Sequence, residues 1–546
     1  MSAPSTQPTD AAPVLSIDGL TVALPAWSDR PHAVENLSIQ IRRNEVLCVV
    51  GESGSGKSVM AKSILGLLPA PHVRVTAGRI AFEGEDLLQV APERLRAVRS
   101  GRISMIFQEP MVALNPLMKV GRQVDEVLQV HTDLSARARR ERVLGLFDDV
   151  HLPEPARIHG SYPHQLSGGQ RQRVMIAMAL ALEPALIIAD EPTTALDVTT
   201  QAQILSLLKE LQGKHGTAVL FITHDFGVVA EIADRVAVMR HGRLIEQGDS
   251  APVLRAPREP YTRDLVAAVP SLIPRHPDPA AVDDHVLAVR ALSKTYGGRS
   301  SFLGVRSRGV EAVRSVSLEV PRGRSVALVG ESGSGKSTLA RCIVGLEQPD
   351  SGAILLDGQD IAGLSRAALR PYRHLVQMVF QDPFASLNPR QRVGDIIALG
   401  PTLRGVPRDV AWDRARELLD MVGLQREAVG RFPHEFSGGQ RQRIGIARAL
   451  AMDPKLIIAD EPVSALDVSV QKQVLDLLDE LRLELGLSML FITHDLRVAA
   501  HVCEEIAVMR RGEIVERGST ARIFAAPAHE YTRALLDSVP GKGWEH

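Results

Sequence analysis

Eight residues, GESGSGKS, occur twice in this chain, at positions 51–58 and 330–337. Each copy follows a short apolar run, VLCVV at 46–50 and VALV at 326–329. Each leads into a segment of helical pattern, 59–68 and 338–346. Strand, loop and helix in that order are the context a phosphate-binding loop requires. The glycines Gly51, Gly54 and Gly56, with Gly330, Gly333 and Gly335, permit backbone angles closed to other residues. The loop then turns its N–H groups around phosphate oxygens, and the following helix adds its positive end. Lys57 and Lys336 place a charge at the β- and γ-phosphates, and the Ser58 and Ser337 hydroxyls are placed to hold Mg²⁺. Two copies in the right context leave little room for coincidence.

The repeat extends well beyond the loops. Lys57 pairs with Lys336 at an offset of 279, and Gln108 with Gln381 at 273. From Ser167 and Ser437 onward the offset holds at 270, through Glu191/Glu461 and His224/His494. A chain of 546 residues exceeds one ordinary domain, and the repeat divides it into two similar halves. The stretch 298–309 reads as a surface-loop insertion, and the proline-rich, acidic stretch 270–284 as an exposed linker. Residues 1–13 read as a flexible tail rather than a signal peptide. No apolar run reaches the roughly 18 residues of a membrane span. A net charge of −1 argues against a nucleic-acid surface. The basic run at 137–142 is interrupted by Glu141 and reads as a solvated helix face. Three scattered cysteines exclude a disulfide framework and a zinc spacing, and fit a reducing compartment.

Each half begins with β-type alternation, at 14–20 and 37–41 and again at 286–292 and 316–320. Apolar strands then alternate with helical stretches, which argues a mostly parallel α/β sheet. In such sheets ligands bind beyond the carboxyl ends of the strands. Lys57, Gln108, Asp190, Glu191 and His224 all fall at or just after expected strand ends, as do their counterparts Lys336, Gln381, Asp460, Glu461 and His494. Asp190 and Asp460 are the candidate metal-holding acids, and Glu191 and Glu461 the candidates to orient an attacking water. His224 and His494 are candidate donors to a γ-phosphate. Ser167-Gly168-Gly169 and Ser437-Gly438-Gly439, each opening a helix, form a second candidate anion site.

In order, these motifs resemble the ATP-binding cassette ATPase family, with two cassettes fused over nearly the whole chain. The matching features are the phosphate loop, the glutamine loop, LSGGQ or FSGGQ, Asp-Glu, Ala-Leu-Asp at 195–197 and 465–467, and the strand-end histidine. The resemblance implies two tandem P-loop domains, 14–270 and 286–546, joined by a linker at 271–285. Each would have a RecA-like, mostly parallel core, an antiparallel β subdomain and a helical signature subdomain. It implies ATP and Mg²⁺ as cofactors and a head-to-tail pairing of the cassettes. Lys57 and Glu191 would then work with Ser437, and Lys336 and Glu461 with Ser167. It adds Ser53, Ser332 and Thr338 to the ATP contacts, Gln170 and Gln440 to the signature, and Gln108 and Gln381 to the Mg²⁺ ligands. Asp197 and Asp467 are assigned to an inter-cassette loop. Tyr296 matches the aromatic that stacks on adenine; the aligned first-half position is Leu24, with Trp27 nearby as a candidate substitute.

A narrower resemblance is to the peptide/nickel importer branch. QEPMVALNP at 108–116, QDPFASLNP at 381–389, and the Tyr-Thr-Arg tails at 256–265 and 527–536 carry it. It implies an ATPase subunit on the cytoplasmic face of the cell membrane, held by two membrane permease subunits and served by an external solute-binding protein. Residues after the glutamine loop would contact the permeases. Members with an iron–sulfur centre carry cysteines after the tail; 269–280 has none, so no cluster is expected. Two other readings are a soluble tandem-cassette ATPase acting on ribosomes, which carries a longer, charged linker, and an exporter ATPase, which is fused to membrane spans or lacks these tails.

Overall fold

The computed structural model describes residues 12–194, 196–275, 283–297, 309–464 and 466–544. The N-terminal tail to residue 11, the insertion at 298–308, the linker centre at 276–282, and Ala195 and Ala465 of the Ala-Leu-Asp loops lie outside the described residues. One compact unit comprises the chain to Leu196 together with Thr200–Ala267, and a second takes the chain from Ala268.

In the first unit the strands Val46–Val50, Leu186–Asp190 and Ala218–Ile222 are buried at every position. Continuous apolar runs of this kind fit a sheet covered on both faces. The sheet has six strands, in the order Arg243–Asp249, Arg235–Arg240, Val46–Val50, Ala218–Ile222, Leu186–Asp190, Ile103–Ile106. All neighbouring pairs are parallel except the outermost, Arg243–Asp249 against Arg235–Arg240. A separate four-stranded antiparallel sheet orders His32–Ile41, Leu15–Ala23, Arg74–Phe82 and Glu85–Asp86. The helices Val120–His131, Ala136–Asp149 and Pro155–His159 lie between the strand Ile103–Ile106 and the helix Gly168–Leu180 in the chain. On Ala136–Asp149 the basic run is paired, Arg137 with Glu141 and Arg142 with Glu183 toward solvent, while Arg139 with Asp125 is largely buried.

The second unit repeats this plan. Its six-stranded sheet runs Val376–Val379, Leu456–Asp460, Ser488–Thr493, Ser325–Val329, Glu505–Arg510, Glu513–Ser519, and its antiparallel sheet runs Val310–Pro321, His285–Tyr296, Ser351–Leu356, Gln359–Asp360. The start of the expected linker is not exposed throughout. Leu272 is buried, the Arg275 N–H donates to the Ala500 carbonyl at 3.0 Å, and the Arg275 guanidinium meets Asp476 at 3.3 Å. Apolar Leu272 within a proline-rich run is what docks this segment onto its own unit. All three cysteines are buried.

Element boundaries differ from the sequence reading in two informative places. The helices after the loops begin at Lys57 and Lys336 themselves, each behind a left-handed glycine, Gly56 (φ 103°) or Gly335 (φ 109°). The strand before Gln108 stops at Ile106, because Phe107 leaves the sheet and is half exposed.

Two kinds of glycine shape each loop. A Cβ on Gly51 would lie 2.1 Å from the Met239 carbonyl oxygen, and one on Gly56 2.3 Å from that of Ala33. The second loop repeats this, with 2.1 Å from Gly330 to Met509 and 2.2 Å from Gly335 to Ala312. Gly54 and Gly333 face open space and are needed only for their φ of 75° and 80°. Gly333→Ala is therefore expected to cost about 1–2 kcal/mol. Gly330→Ala, which must displace backbone, is expected to cost on the order of 4 kcal/mol. Urea unfolding midpoints of the two variants measure the difference; equal midpoints would refute the steric account.

Candidate functional site

The described geometry brings the sequence candidates of each half together at the carboxyl ends of the central strands. The Lys57 ammonium donates to the carbonyls of Gly51 (2.6 Å) and Glu52 (3.0 Å) and to the Ser55 hydroxyl (3.4 Å). Lys336 does the same with Gly330 (2.7 Å) and Glu331 (2.9 Å). Both lysines are buried under their loops, and burial pulls the Lys336 pKa below the ordinary lysine value. A buried ammonium beside a glycine-rich turn that opens a helix is an arrangement able to hold an anion. Gly54 and Ser53, with Gly333 and Ser332, sit at the open tips of these turns, and Thr338 follows Ser337 on the helix Lys336–Ile343.

The Ser58 hydroxyl donates to Asp190 Oδ1 at 3.0 Å, and Ser337 to Asp460 Oδ1 at 3.2 Å. Burial raises both aspartate pKa values. A hydroxyl and a carboxylate side by side fit a hard divalent cation that would complete its shell with phosphate and water oxygens.

Glu191 and Glu461 follow their strands with φ of 47° and 46°, in the left-handed region that non-glycine residues seldom occupy. Their amides still bond the neighbouring strand, at the Ile222 and Ile492 carbonyls, both at 2.9 Å. The turned backbone aims each carboxylate at two partners. Glu191 accepts from Gln108 Nε2 at 2.8 Å and lies 3.2 Å from His224 Nδ1. Glu461 repeats both contacts with Gln381 (2.8 Å) and His494 (3.2 Å). Burial pushes both glutamates up, but the histidine hydrogen bond and charge, with the lysine beyond, hold them below the usual carboxylate range. Burial likewise opposes the charge on His494, yet the Glu461 contact raises its pKa. Each half thus presents a carboxylate clasped between an amide and an imidazole.

Thr194 was not among the sequence candidates. Its hydroxyl donates to Glu191 Oε2 at 3.0 Å, whereas the matching Ser464 hydroxyl turns to the Glu461 backbone carbonyl at 3.2 Å. The Thr/Ser difference at an otherwise matched position is the one sequence signal that marks it. The two base sites are therefore similar but not equivalent.

The signature segments are built as helix caps. Ser167 and Ser437 accept from the amides of Gln170 and Gln440 at 3.3 Å, while each glutamine side chain accepts back from its serine amide at 3.0 Å. Gly168 and Gly438 are the first residues of their helices, Gly168–Leu180 and Gly438–Leu450. Gly169 and Gly439 allow close packing: a Cβ there would meet Thr200 at 2.6 Å or Val470 at 2.2 Å. Asp197 directly precedes the helix Val198–His215, and Asp467 is the N-cap residue of Val468–Leu485. Tyr296 ends its strand half exposed, with the Lys294 ammonium 5.6 Å from its ring centre. In the first half Leu24, Trp27, Arg30 and His72 line a cleft of about 650 Å³, and Trp27 meets His72 edge-on at 5.7 Å.

Comparison with known proteins gives the family of the chain and several relatives. The family described as ABC transporter matches residues 34–194 and 313–464. The family described as oligopeptide/dipeptide transporter, C-terminal region, matches 245–298 and 515–544. The glutathione import ATP-binding protein GsiA of Salmonella paratyphi A is 45% identical, over 98% of this chain and 91% of its own. The peptidoglycan transport ATP-binding protein YejF of Agrobacterium fabrum is 46% identical, over 97% and 96%. Among solved structures, cbiO1 from Clostridium perfringens, described as part of the ABC transporter complex cbiONQ, is 30% identical over 45% of this chain and 92% of its own, with a TM-score of 0.39.

The Thr194 contact yields a directional test. With Glu461→Gln in place, Thr194→Ala is expected to lower the rate of ATP-dependent phosphate release at least about tenfold, since one hydrogen bond to a charged acceptor is worth about 1.5 kcal/mol or more. With Glu191→Gln in place instead, Ser464→Ala is expected to leave the rate within about twofold. Equal losses in the two backgrounds would show that the hydroxyl contact is not what separates the sites.

Proposed function

Because the chain belongs to the ABC transporter ATPase family, we propose that it hydrolyses ATP to energise an importer of peptides or similar small solutes, glutathione among them. The observation that carries this reading is the complete site in each half, a loop-held lysine beside a clasped carboxylate, joined in each half to an importer-type tail. Lys57 and Lys336, with the loop amides, bind the β- and γ-phosphates. Mg²⁺, held by Ser58, Asp190 and Gln108 or by Ser337, Asp460 and Gln381, would neutralise developing phosphate charge. Glu191 and Glu461 orient the attacking water, and His224 and His494 face the γ-phosphate from the other side. Positioning and charge stabilisation supply most of the rate in phosphoryl transfer, and these groups offer both.

The same reading pairs the cassettes head to tail, with Ser437 completing the Lys57 site and Ser167 the Lys336 site. Two halves on one chain hold each other at an effective concentration in the mM range. ATP binding closes the pair, and hydrolysis reopens it. Tyr296 stacks on adenine in the second site; Trp27 stands in the aligned region of the first.

The partners are two permease subunits, with an external binding protein delivering solute, and the chain works at the cytoplasmic face of the cell membrane. Among the described residues no helix is long and apolar enough to cross a membrane. After the glutamine loops, Val112 (78% exposed) and Phe384 (63% exposed) present apolar side chains to solvent. These are the side chains that a docked permease helix would cover.

Glu191→Gln combined with Glu461→Gln is expected to bind MgATP and not turn it over, read by nucleotide binding and phosphate release on the same sample; retained turnover would remove the base assignment. A mild-detergent pull-down of the tagged chain from its own membranes is expected to recover two multi-span proteins, and Val112→Asp with Phe384→Asp to lose them. Recovery of ribosomes, or of nothing, would break the transport reading.

A further inference from the structure

The two tail tyrosines reach back to the phosphate loops. Tyr261, on the helix Pro260–Ala267, accepts a hydrogen bond from the Glu52 N–H at 3.5 Å and donates to the Glu52 carboxylate at 3.3 Å. Tyr531, on Glu530–Asp537, accepts from the Glu331 N–H at 3.1 Å. In each case that N–H belongs to a peptide unit whose other edge is the carbonyl of Gly51 or Gly330. Those carbonyls are the closest acceptors of the Lys57 and Lys336 ammonium groups, at 2.6 and 2.7 Å. A peptide unit is planar and rigid. One plane is thus gripped by a tyrosine hydroxyl on one edge and by a lysine on the other.

We infer that Tyr261 and Tyr531 are positioning residues that set the phosphate-binding lysines, each acting through a single peptide plane at the start of its loop; this rests on the lysine assignment proposed above. The surroundings hold the tyrosines for that task. The Arg240 guanidinium lies 4.5 Å from the Tyr261 ring centre, and Arg510 lies 4.7 Å from that of Tyr531. Each arginine follows the residue, Met239 or Met509, whose carbonyl oxygen crowds the first loop glycine. Ahead of the tyrosine, a carboxylate fixes the tail: Glu246 accepts from the amides of Arg258 (2.9 Å) and Glu259 (3.2 Å), and Glu516 from those of Ala528 (2.7 Å) and His529 (3.1 Å). Burial pushes both phenols up to about 12, so the hydroxyls stay protonated near neutral pH. The arrangement recurs in both halves although the loops are offset by 279 residues and the tails by 270. A tail that merely packs against its cassette has no need to place a hydroxyl on the same peptide plane twice.

The test uses the full chain, Mg²⁺ and a fluorescent ATP analogue, with one loop disabled at a time. In a chain carrying Lys336→Ala, Tyr261→Phe is expected to weaken binding about fivefold, the worth of one hydrogen bond, while Tyr531→Phe leaves it unchanged. In a chain carrying Lys57→Ala the roles exchange. Phenylalanine keeps the stacking on arginine, so the melting temperature should hold, and in chains with both lysines intact KM should rise while kcat stays within about twofold. Unchanged binding in the matched Phe variant, or equal weakening of both loops by either tyrosine, would overturn the inference. Should Lys57→Ala with Lys336→Ala bind the analogue as tightly as the parent, the lysine assignment itself falls, an outcome visible without any tyrosine change.

Discussion

The close approach of backbone to backbone around each loop is the constraint on which the rest of the site depends. In the first unit the loop is wedged between the Met239 carbonyl, from the parallel sheet, and the Ala33 carbonyl, from the antiparallel sheet. The turn after Arg240 fastens it: the Gly242 amide donates to the Ser55 carbonyl at 2.9 Å, and the Gly242 carbonyl accepts from the Glu35 amide at 2.8 Å. Gly512, Ser334 and Arg314 repeat both bonds in the second unit, each at 2.8 Å. The two sheets therefore enforce a loop conformation that the loop's own glycines permit. Catalytic groups gain from such rigidity because their geometry is set before substrate arrives.

Electrostatics then divides adjacent carboxylates into different tasks. Asp190 and Glu191 are chain neighbours, as are Asp460 and Glu461, yet burial raises the aspartates while histidine contact lowers the glutamates. Adjacent carboxyl groups driven apart in this way suit different roles, one waiting for a cation and one already charged. Each glutamate has a left-handed backbone, and its carboxylate is paired with a glutamine and a histidine.

Much of this was legible in the sequence because it rests on local rules. Apolar runs marked the buried parallel strands, the duplicated glycines marked the loops, and Gln108, Glu191 and His224 could be grouped by their places at strand ends. Less legible was whatever depends on distant contact. Thr194 differs from Ser464 by one methyl group, and only the fold shows which oxygen each hydroxyl finds. Tyr261 was visible as part of a repeated tail, but about 210 residues of intervening chain hide its meeting with Glu52. The linker reading erred where composition outweighed a single apolar side chain: proline and acid dominate 270–284, while Leu272 is buried and anchors its beginning.

The three buried cysteines have a practical consequence. Burial drives the Cys342 thiol up to about 11, and those of Cys48 and Cys503 higher still. A thiol reacts as its thiolate, and near neutrality these three hold almost none and expose little sulfur. The natural sequence therefore already serves as a silent background for site-directed labelling. A single cysteine introduced on a surface loop would then be the one readily reactive thiol for a maleimide dye or spin label.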